Sequence, residues 1–318
     1  MNDFKQQQKL SPREKELRCE MTFRGMGECW HVFTPEGFPV IFSTKEDFKA
    51  GMSLIAICAK TFPDIKVLTF EIMSNHLHLV LAGPENRIRQ FFAMLKGYLR
   101  RYLKGIGRPV DLSSWNCSLK RIMDLKYMRE VIVYTNRNGY LVSQDATPFN
   151  YPWGANRFFF NPELRAFHLS TRERLTLRVI REMFHTRMLD SYNGMEIVDG
   201  YVTPACFCVI KTAEDMFRDA HQYFFKLTRD VESQKTIAAE LGERVFYTDE
   251  ELYSLVYSKC RTEFKADSPS QLSSDEKIRM AKTLHYEYNS DNAQVARILR
   301  LDNSIVNSLF PRGADGPR

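Results

Sequence analysis

A run of alternating residues at positions 73–81, Met-Ser-Asn-His-Leu-His-Leu-Val-Leu, constrains the fold of this chain more than any other feature. Successive side chains of a β-strand point to opposite faces, so His76 and His78 share one face and the leucines share the other. The leucine face has to be buried against other elements, whereas the histidine face carries two possible metal ligands. The run therefore predicts a strand with core on one side and a site on the other.

The spacing of the two histidines does not by itself establish a metal site. Seven histidines in 318 residues give roughly 0.13 spacing-two pairs by chance. The alternative interpretation is a pair of partly buried histidines that are hydrogen-bonded to carbonyl groups. A nucleophile, a third ligand and a surface for a substrate elsewhere in the chain would favour the functional interpretation.

The patterns around this strand predict an α+β fold. Alternation predicts further strands and apolar spacing predicts helices, namely strands at 29–34 and 66–73 and helices from Ser43 or Thr44 to about 62, at 86–103 and at 119–137. The order strand, helix, strand, strand, helix is typical of an antiparallel sheet with helices on one face, the ferredoxin-like or split βαβ class. We therefore expect that architecture in the N-terminal half.

The length of 318 residues indicates more than one structural unit. We expect a flexible basic lead-in at 1–27, a domain built around the histidine strand at 28–157, a mainly helical accessory region at 158–266 and a C-terminal helix-turn-helix-like region at 267–318. In the second half, helices are predicted from Ser170 to about 187 and at 213–231, 275–288, 292–301 and 304–310.

Hydropathy and cysteine content limit the classes of protein that the chain can belong to. No window has the apolar length of a membrane span, and the first residues lack an apolar leader, so we expect a cytoplasmic protein without a membrane partner. The seven cysteines are odd in number and irregularly spaced, which argues against a disulfide framework.

Basic charge is concentrated between residues 85 and 137, a stretch that contains twelve lysines and arginines but only four acidic residues. Tyr98, Tyr102 and Trp115 lie in the same stretch. The combination indicates a surface that follows a phosphate backbone and stacks bases, although a solvated helix face is the alternative for any single charge pair. The candidate backbone contacts are Arg100, Arg101, Lys104, Arg121 and Arg137.

A candidate nucleophile and a third ligand lie near the end of the helix predicted at 119–137. Tyr134 and Asn138 are four residues apart and so project from one helix face, a single turn from each other. An Asn oxygen can complete the ligand set of a hard divalent cation, and a phenol beside that cation can attack a polarised phosphate. The alternative for Tyr134 is an ordinary tyrosine at the edge of the core.

Several motifs of the chain resemble one family in the same order. Ser-Asn-His-Leu-His-Leu-Val at 74–80 resembles the HUH motif of single-tyrosine transposases, in particular the REP-associated tyrosine transposases. That family continues with a Tyr-Ile-His-x-Asn-Pro type motif, a Gly-Leu-Val and a Tyr-Pro-Trp-Ser-Ser type segment. This chain has Tyr-Thr-Asn-Arg-Asn-Gly at 134–139, Tyr-Leu-Val at 140–142 and Tyr-Pro-Trp-Gly at 151–154. It lacks the family's proline and has Asn136 where the family often has His.

The resemblance covers roughly residues 25–157 and implies a function. It implies a metal-dependent DNA strand transferase and endonuclease, in which His76, His78 and Asn138 hold Mg²⁺ or Mn²⁺ and Tyr134 forms a 5′-phosphotyrosine. The partner it implies is single-stranded DNA that forms a hairpin, and a homodimer is an open expectation. Two other classes remain as alternatives: a DNA-binding regulator that no longer cleaves, and a ferredoxin-like RNA-binding module, which lacks the expected paired aromatics on its sheet.

Overall fold

The computed structural model describes residues 10–138, 151–170, 173–174, 178, 196–229, 231–241 and 247–311. Within these residues the chain has a mixed α+β fold that is mostly helical. Its elements in chain order are α1 (Pro12–Arg24), β1 (Cys29–Phe33), α2 (Lys45–Thr61), β2 (Lys66–Ile72), β3 (Leu77–Ala82), α3 (Glu85–Gly105), β4 (Ser118–Ile122), α4 (Leu125–Asn138), α5 (Pro162–Ser170), β5 (Glu173–Arg174), β6 (Glu196–Ile197), α6 (Pro204–Phe207), α7 (Ile210–Glu214), α8 (Ala220–Arg229), α9 (Val231–Leu241), α10 (Asp249–Glu263), α11 (Ser274–Glu287), α12 (Asn292–Leu299) and α13 (Asn303–Leu309).

Strands β1 to β4 form one antiparallel sheet in the order β2-β3-β1-β4. His78 lies opposite Phe33 on β1 and opposite Glu71 on β2, and His31 lies opposite Lys120 on β4. Because side chains alternate along each strand, these residues share one face, which we call the polar face. The predicted alternation is confirmed from Leu77 onward, and this strand occupies a central position in the sheet, whereas His76 lies in the connection between β2 and β3.

The opposite face, which we call the leucine face, is covered by α2 and α3. A Cβ added to Gly51 of α2 would lie 3.0 Å from Cδ1 of Ile72, whose partner across the sheet is Leu77. Helix α3 packs in turn on α2, where the Tyr102 hydroxyl donates to Asp47 over 3.1 Å. Thr44 caps α2 with a capping box, at one of the two positions predicted for its start.

Helix α4 covers the polar face, and its beginning differs from the prediction. We expected one helix over 119–137, whereas the chain forms β4 first and begins α4 at Leu125. Leu119, Ile122 and Leu125 have the spacing of a helix, which caused the error. An edge strand pairs on one side only and tolerates Lys120 and Arg121 without strict alternation, so its sequence resembles an exposed helix face.

The free edge of β2 is covered by segments from later in the chain. The backbone N–H of Ile72 donates to the Trp153 carbonyl over 2.9 Å, and that of Ala155 donates to Phe70 over 3.0 Å. At the other end of the strand, Val209 N–H donates to Val67 over 2.9 Å. These segments satisfy backbone groups that an exposed edge would leave open.

The basic lead-in predicted at 1–27 contains a helix instead of irregular chain. Ser11 and Glu14 form a capping box at the start of α1, and the Arg129 guanidinium donates to Glu16 over 2.7 Å. Only Cys19 of this helix is buried, so its sequence has little apolar periodicity. Long-range pairing with α4 holds the helix, and sequence spacing does not reveal such pairing.

Two predicted helices of the second half also need correction. The helix predicted at 213–231 is instead found as the end of α7, which stops at Glu214, followed by α8 (Ala220–Arg229) and the start of α9. Most of the helix predicted from Ser170 to 187 lies outside the described residues, and Ser170 itself ends α5 instead of beginning a helix.

The chain divides into two compact units, Met1–Tyr223 and Phe224–Arg318, so the boundary falls inside the predicted accessory region 158–266. In the second unit, α11, α12 and α13 match the helices predicted at 275–288, 292–301 and 304–310 within two residues. The His285 and Phe310 rings stack there at 4.0 Å between centroids. Among the described residues, no helix combines the length and apolarity needed to cross a bilayer.

Candidate functional site

Three histidines and Tyr134 come together between the polar face and α4. The His78 ring lies 5.7 Å from the Tyr134 ring and 5.3 Å from both the His31 and the His76 rings, measured between centroids. The His31 and Tyr134 centroids are 6.3 Å apart. Strand β3, which carries His78, and the helix with the predicted nucleophile therefore face each other.

Each of the two predicted histidine ligands makes a hydrogen bond through its Nδ1 atom. His76 Nδ1 lies 2.7 Å from Asn75 Oδ1, and His78 Nδ1 lies 3.1 Å from His31 Nε2. Asn75 also donates from Nδ2 to the Glu36 carbonyl, which fixes the orientation of its amide. A metal ion would therefore bind both imidazoles through Nε2.

Burial keeps these imidazoles neutral. Desolvation, followed by the proximity of His78, lowers the pKa of His76 to about 3, and desolvation lowers the pKa of His78 to about 3. The pKa of His31 lies well below its usual value because of desolvation, with smaller effects of His78 and Lys120. Neutral imidazole is the form that binds a metal ion.

The two predicted histidine ligands fit a divalent cation as a pair. Nitrogen–metal bonds of about 2.1 Å place the centroids of two imidazoles on one ion roughly 4.5–5.5 Å apart, and the His76 and His78 centroids are 5.3 Å apart. Asn138 ends α4 one turn after Tyr134 and is partly exposed. Among the described residues, no three His, Cys, Asp or Glu side chains are grouped so that they could hold a metal ion.

The predicted basic contacts do not line the space between the histidines and Tyr134. Arg100, Arg101 and Lys104 are exposed on α3, which lies with α2 on the leucine side of the sheet. Arg121 lies opposite Trp30 on that side too, with its guanidinium 3.3 Å from Glu28. Arg137 is on α4 but is fully buried and cannot contact a phosphate in this conformation.

The predicted base-stacking aromatics belong to the core. Tyr98, Tyr102 and Trp115 are all buried. Tyr98 and Tyr102 lie on the apolar stripe of α3, whose spacing places them beside Leu95 and Leu99. The expectation that these rings stack bases is therefore wrong for this conformation.

Sequence reasoning missed several polar residues of the site. His31 comes from β1, and its contact with His78 depends on the register of two strands that are distant in sequence. Asn136 accepts a hydrogen bond from Thr69 and donates to the Tyr223 hydroxyl over 2.7 Å, and that hydroxyl donates to Asn156 over 2.6 Å. This buried chain joins α4 to β2 and α8. The alternation of residues 29–34 predicts a strand and so places His31 on one face of the sheet, but it does not identify His78 as its neighbour.

The site is closed in this conformation. Tyr134 is 1% exposed, His78 is fully buried and His76 is 8% exposed. A DNA phosphate can reach the Tyr134 hydroxyl only if the covering elements move.

Comparisons with known proteins identify no family. No family model matches the chain, and neither the curated proteins nor the solved structures contain a match to it. The resemblance to single-tyrosine transposases consequently depends on the motifs of the sequence and on the geometry described above.

Proposed function

We propose that the chain is a metal-dependent DNA strand transferase of the HUH type, which cleaves single-stranded DNA with Tyr134 as its nucleophile. The observation that carries the proposal is the proximity of the Tyr134 and His78 rings, 5.7 Å apart, with His76 beside them. These residues come from a strand and a helix that are more than fifty positions apart in the sequence. Ordinary core packing does not require a tyrosine and two histidines at this point.

The sheet topology supports a ferredoxin-like architecture for the unit that carries the site. The order β2-β3-β1-β4, with a helix between β1 and β2 and another between β3 and β4, is that of two interleaved split βαβ units. This arrangement places β3 in the sheet interior and leaves one face for α4. It supports the proposal through fold alone, and fold does not decide function.

The proposed reaction is a transesterification that needs no external energy source. The Tyr134 phenol loses its proton and its oxygen attacks the phosphorus of a DNA phosphodiester, the P–O3′ bond breaks, and the leaving 3′ oxygen takes up a proton, so that no net proton is released. The product is a 5′-phosphotyrosine and a free 3′-hydroxyl. A second 3′-hydroxyl can attack the phosphotyrosine, which releases Tyr134 and joins the two DNA ends.

Three residues would hold the divalent cation. His76 and His78 would bind it through Nε2, and Asn138 would contribute its amide oxygen. A bound Mg²⁺ or Mn²⁺ supplies Lewis-acid polarisation of the scissile phosphate. The chain itself holds the two imidazoles neutral and positions the Tyr134 ring against that of His78.

A covalent-adduct assay tests the proposal. The full-length protein is incubated with a pool of labelled single-stranded oligonucleotides that contain a hairpin with randomised flanks. We expect an adduct that survives denaturing electrophoresis in the presence of Mn²⁺, disappears with chelator and is absent from Tyr134→Phe.

Tyr127→Phe is the matched control because Tyr127 lies on the same helix, two turns before Tyr134. It should form the adduct as the wild-type protein does. An adduct that persists in Tyr134→Phe would reject Tyr134 as the nucleophile.

A second candidate function is a DNA-binding regulator that does not cleave. The burial of Tyr134 and His78 favours it, as do the last two helices. Arg300 turns the chain between α12 and α13 in a left-handed conformation, and the exposed residues of α13 are able to hydrogen-bond bases: Asn303, Ser304, Asn307 and Ser308. We propose α12 and α13 as a helix-turn-helix, with α13 as the recognition helix.

Chelator and salt distinguish the two functions. Cleavage that stops with chelator supports the strand transferase. Binding that weakens with salt but is indifferent to chelator, without an adduct, supports the regulator.

A further inference from the structure

The side chains of Asn75 and His31 each contact one of the two proposed metal ligands at Nδ1. Asn75 lies in the turn before β3, and His31 is fully buried on β1. A histidine ligates a metal only through a nitrogen that carries no proton. The proton on Nδ1 or Nε2 therefore decides whether each ring can bind the cation.

For His76 the protein determines the tautomer. Asn75 Nδ2 donates to the Glu36 carbonyl, so the other end of the Asn75 amide is the oxygen. That oxygen lies 2.7 Å from His76 Nδ1 and can only accept, so Nδ1 must carry the proton. Nε2 of His76 is then the nitrogen with the free lone pair.

For His78 the direction of one hydrogen bond has two possible outcomes. If His78 Nδ1 donates to His31 Nε2, Nε2 of His78 can bind a metal ion. If His31 Nε2 donates instead, the proton of His78 is on Nε2 and the ring cannot bind through that atom. These two nitrogen atoms are 3.1 Å apart, and only one of them can donate the proton of this hydrogen bond at a time.

We infer that Asn75 and His31 are positioning residues that hold His76 and His78 in the tautomer with the proton on Nδ1, so that both present Nε2 to one cation. The inference rests on the proposed function for the identity of the cation. Partners of this kind orient metal-binding histidines in many proteins, although a carboxylate or a carbonyl is the usual acceptor. In this protein the acceptors are the amide oxygen of Asn75 and the imidazole of His31.

Nitrogen NMR of the metal-free protein tests the tautomers directly. The full-length chain is labelled with ¹⁵N-histidine, and the signals are assigned with single His→Gln variants. We expect protonated Nδ1 and unprotonated Nε2 for both His76 and His78. A protonated Nε2 on either ring would overturn the inference, and this readout needs neither metal nor DNA.

Metal binding tests the consequence. We expect Mn²⁺ affinity, measured by calorimetry on the full-length chain, to fall about 10–100-fold in His31→Leu and in Asn75→Ala. His31→Gln and Asn75→Asp retain an oxygen that accepts from Nδ1 and should recover most of the affinity. Unchanged affinity in His31→Leu and Asn75→Ala would reject the positioning role.

Phe33→Leu is the matched control for His31→Leu. Phe33 lies on the same face of β1, and its ring centroid is 6.4 Å from that of His78, but it makes no hydrogen bond to the imidazole. It should leave Mn²⁺ affinity close to the wild-type value, and a loss as large as in His31→Leu would assign the effect to packing. If the tautomers are as inferred but no DNA adduct forms, the proposed function fails while the positioning role stands.

Discussion

The two faces of the sheet are buried to the same degree but differ in chemistry. On the leucine face, Phe70 and Leu79 are fully buried, and their burial contributes hydrophobic free energy. On the polar face, His31, His78 and Glu71 are just as buried beneath α4. Burying such groups costs free energy unless hydrogen bonds offset it. The leucine face therefore stabilises the fold by apolar burial, whereas the polar face depends on hydrogen bonds such as that from Thr69 to Asn136.

The largest expected effect comes from a truncation on the leucine face. Leu79→Ala should reduce the free energy of unfolding by about 3 kcal/mol, because it removes buried methyl groups and leaves a cavity. Chemical denaturation measures the change. A loss below about 1 kcal/mol would contradict the assignment of stability to this face.

A smaller loss of unfolding free energy is expected when one member of the buried hydrogen-bond chain on the polar face is replaced. Thr69→Val keeps the side-chain shape but removes the donor to Asn136, and we expect a loss of about 2 kcal/mol. Thr61→Val is the matched control, since Thr61 is exposed on α2 and bonds only within that helix. Equal losses of unfolding free energy in Thr69→Val and Thr61→Val would contradict a stabilising role of the Thr69 hydrogen bond.

The leucine side also contains a buried carboxylate, that of Asp47. Its titration makes the stability of this side depend on pH. Desolvation raises the pKa of Asp47, but hydrogen bonds from the Ser43 and Thr44 backbone, the Arg108 charge and the Tyr102 hydroxyl together hold that pKa below its usual value. The carboxylate thus stabilises the fold above the pKa of an unfolded aspartate, and this stability is lost as the pH falls through the lower, folded value.

Acidification should therefore weaken the wild-type chain more than Asp47→Asn. Between pH 6 and pH 3 we expect the loss in unfolding free energy to differ by about 1 kcal/mol between the two proteins. Urea denaturation at the two pH values measures it. Equal losses would show that the Asp47 contacts contribute nothing to the acid sensitivity.

The smallest stability effect is expected at the proposed nucleophile. Tyr134→Phe retains the ring that contacts His31 and His78 and loses only the hydroxyl, so the unfolding free energy should change by about 1 kcal/mol or less. The same denaturation assay measures it. A loss as large as that of Leu79→Ala would indicate that Tyr134 serves the fold instead of the reaction.

Local patterns predicted the elements that bury one regular face. The alternation at 73–81 predicted β3 and its two faces from Leu77 onward, and the helices at the C-terminus were predicted within two residues. In both cases the apolar period and the capping residues are local properties of the chain. The proximity of His78 and Tyr134 could be proposed from motif order but was not determined by spacing.

The missed features depend on contacts between distant parts of the chain. The sequence of β4 resembles that of a helix because its one-sided pairing relaxes alternation, and His31 reaches the site through strand register. The error at Tyr98 and Tyr102 was avoidable, since both fall on the apolar stripe of α3. The basic residues were grouped by position in sequence, whereas the sheet separates Arg100 and Tyr134 onto opposite sides.

Mass spectrometric mapping of the DNA adduct tests the central claim most directly. Trypsin cuts after Arg129 and Arg137, and residues 130–137 contain Tyr134 as their single tyrosine. After nuclease digestion of the bound DNA, we expect this peptide to carry a nucleotide phosphate on Tyr134, and only when Mn²⁺ is present. A nucleotide on a peptide that contains Tyr98, Tyr102 or Tyr140 would contradict the account.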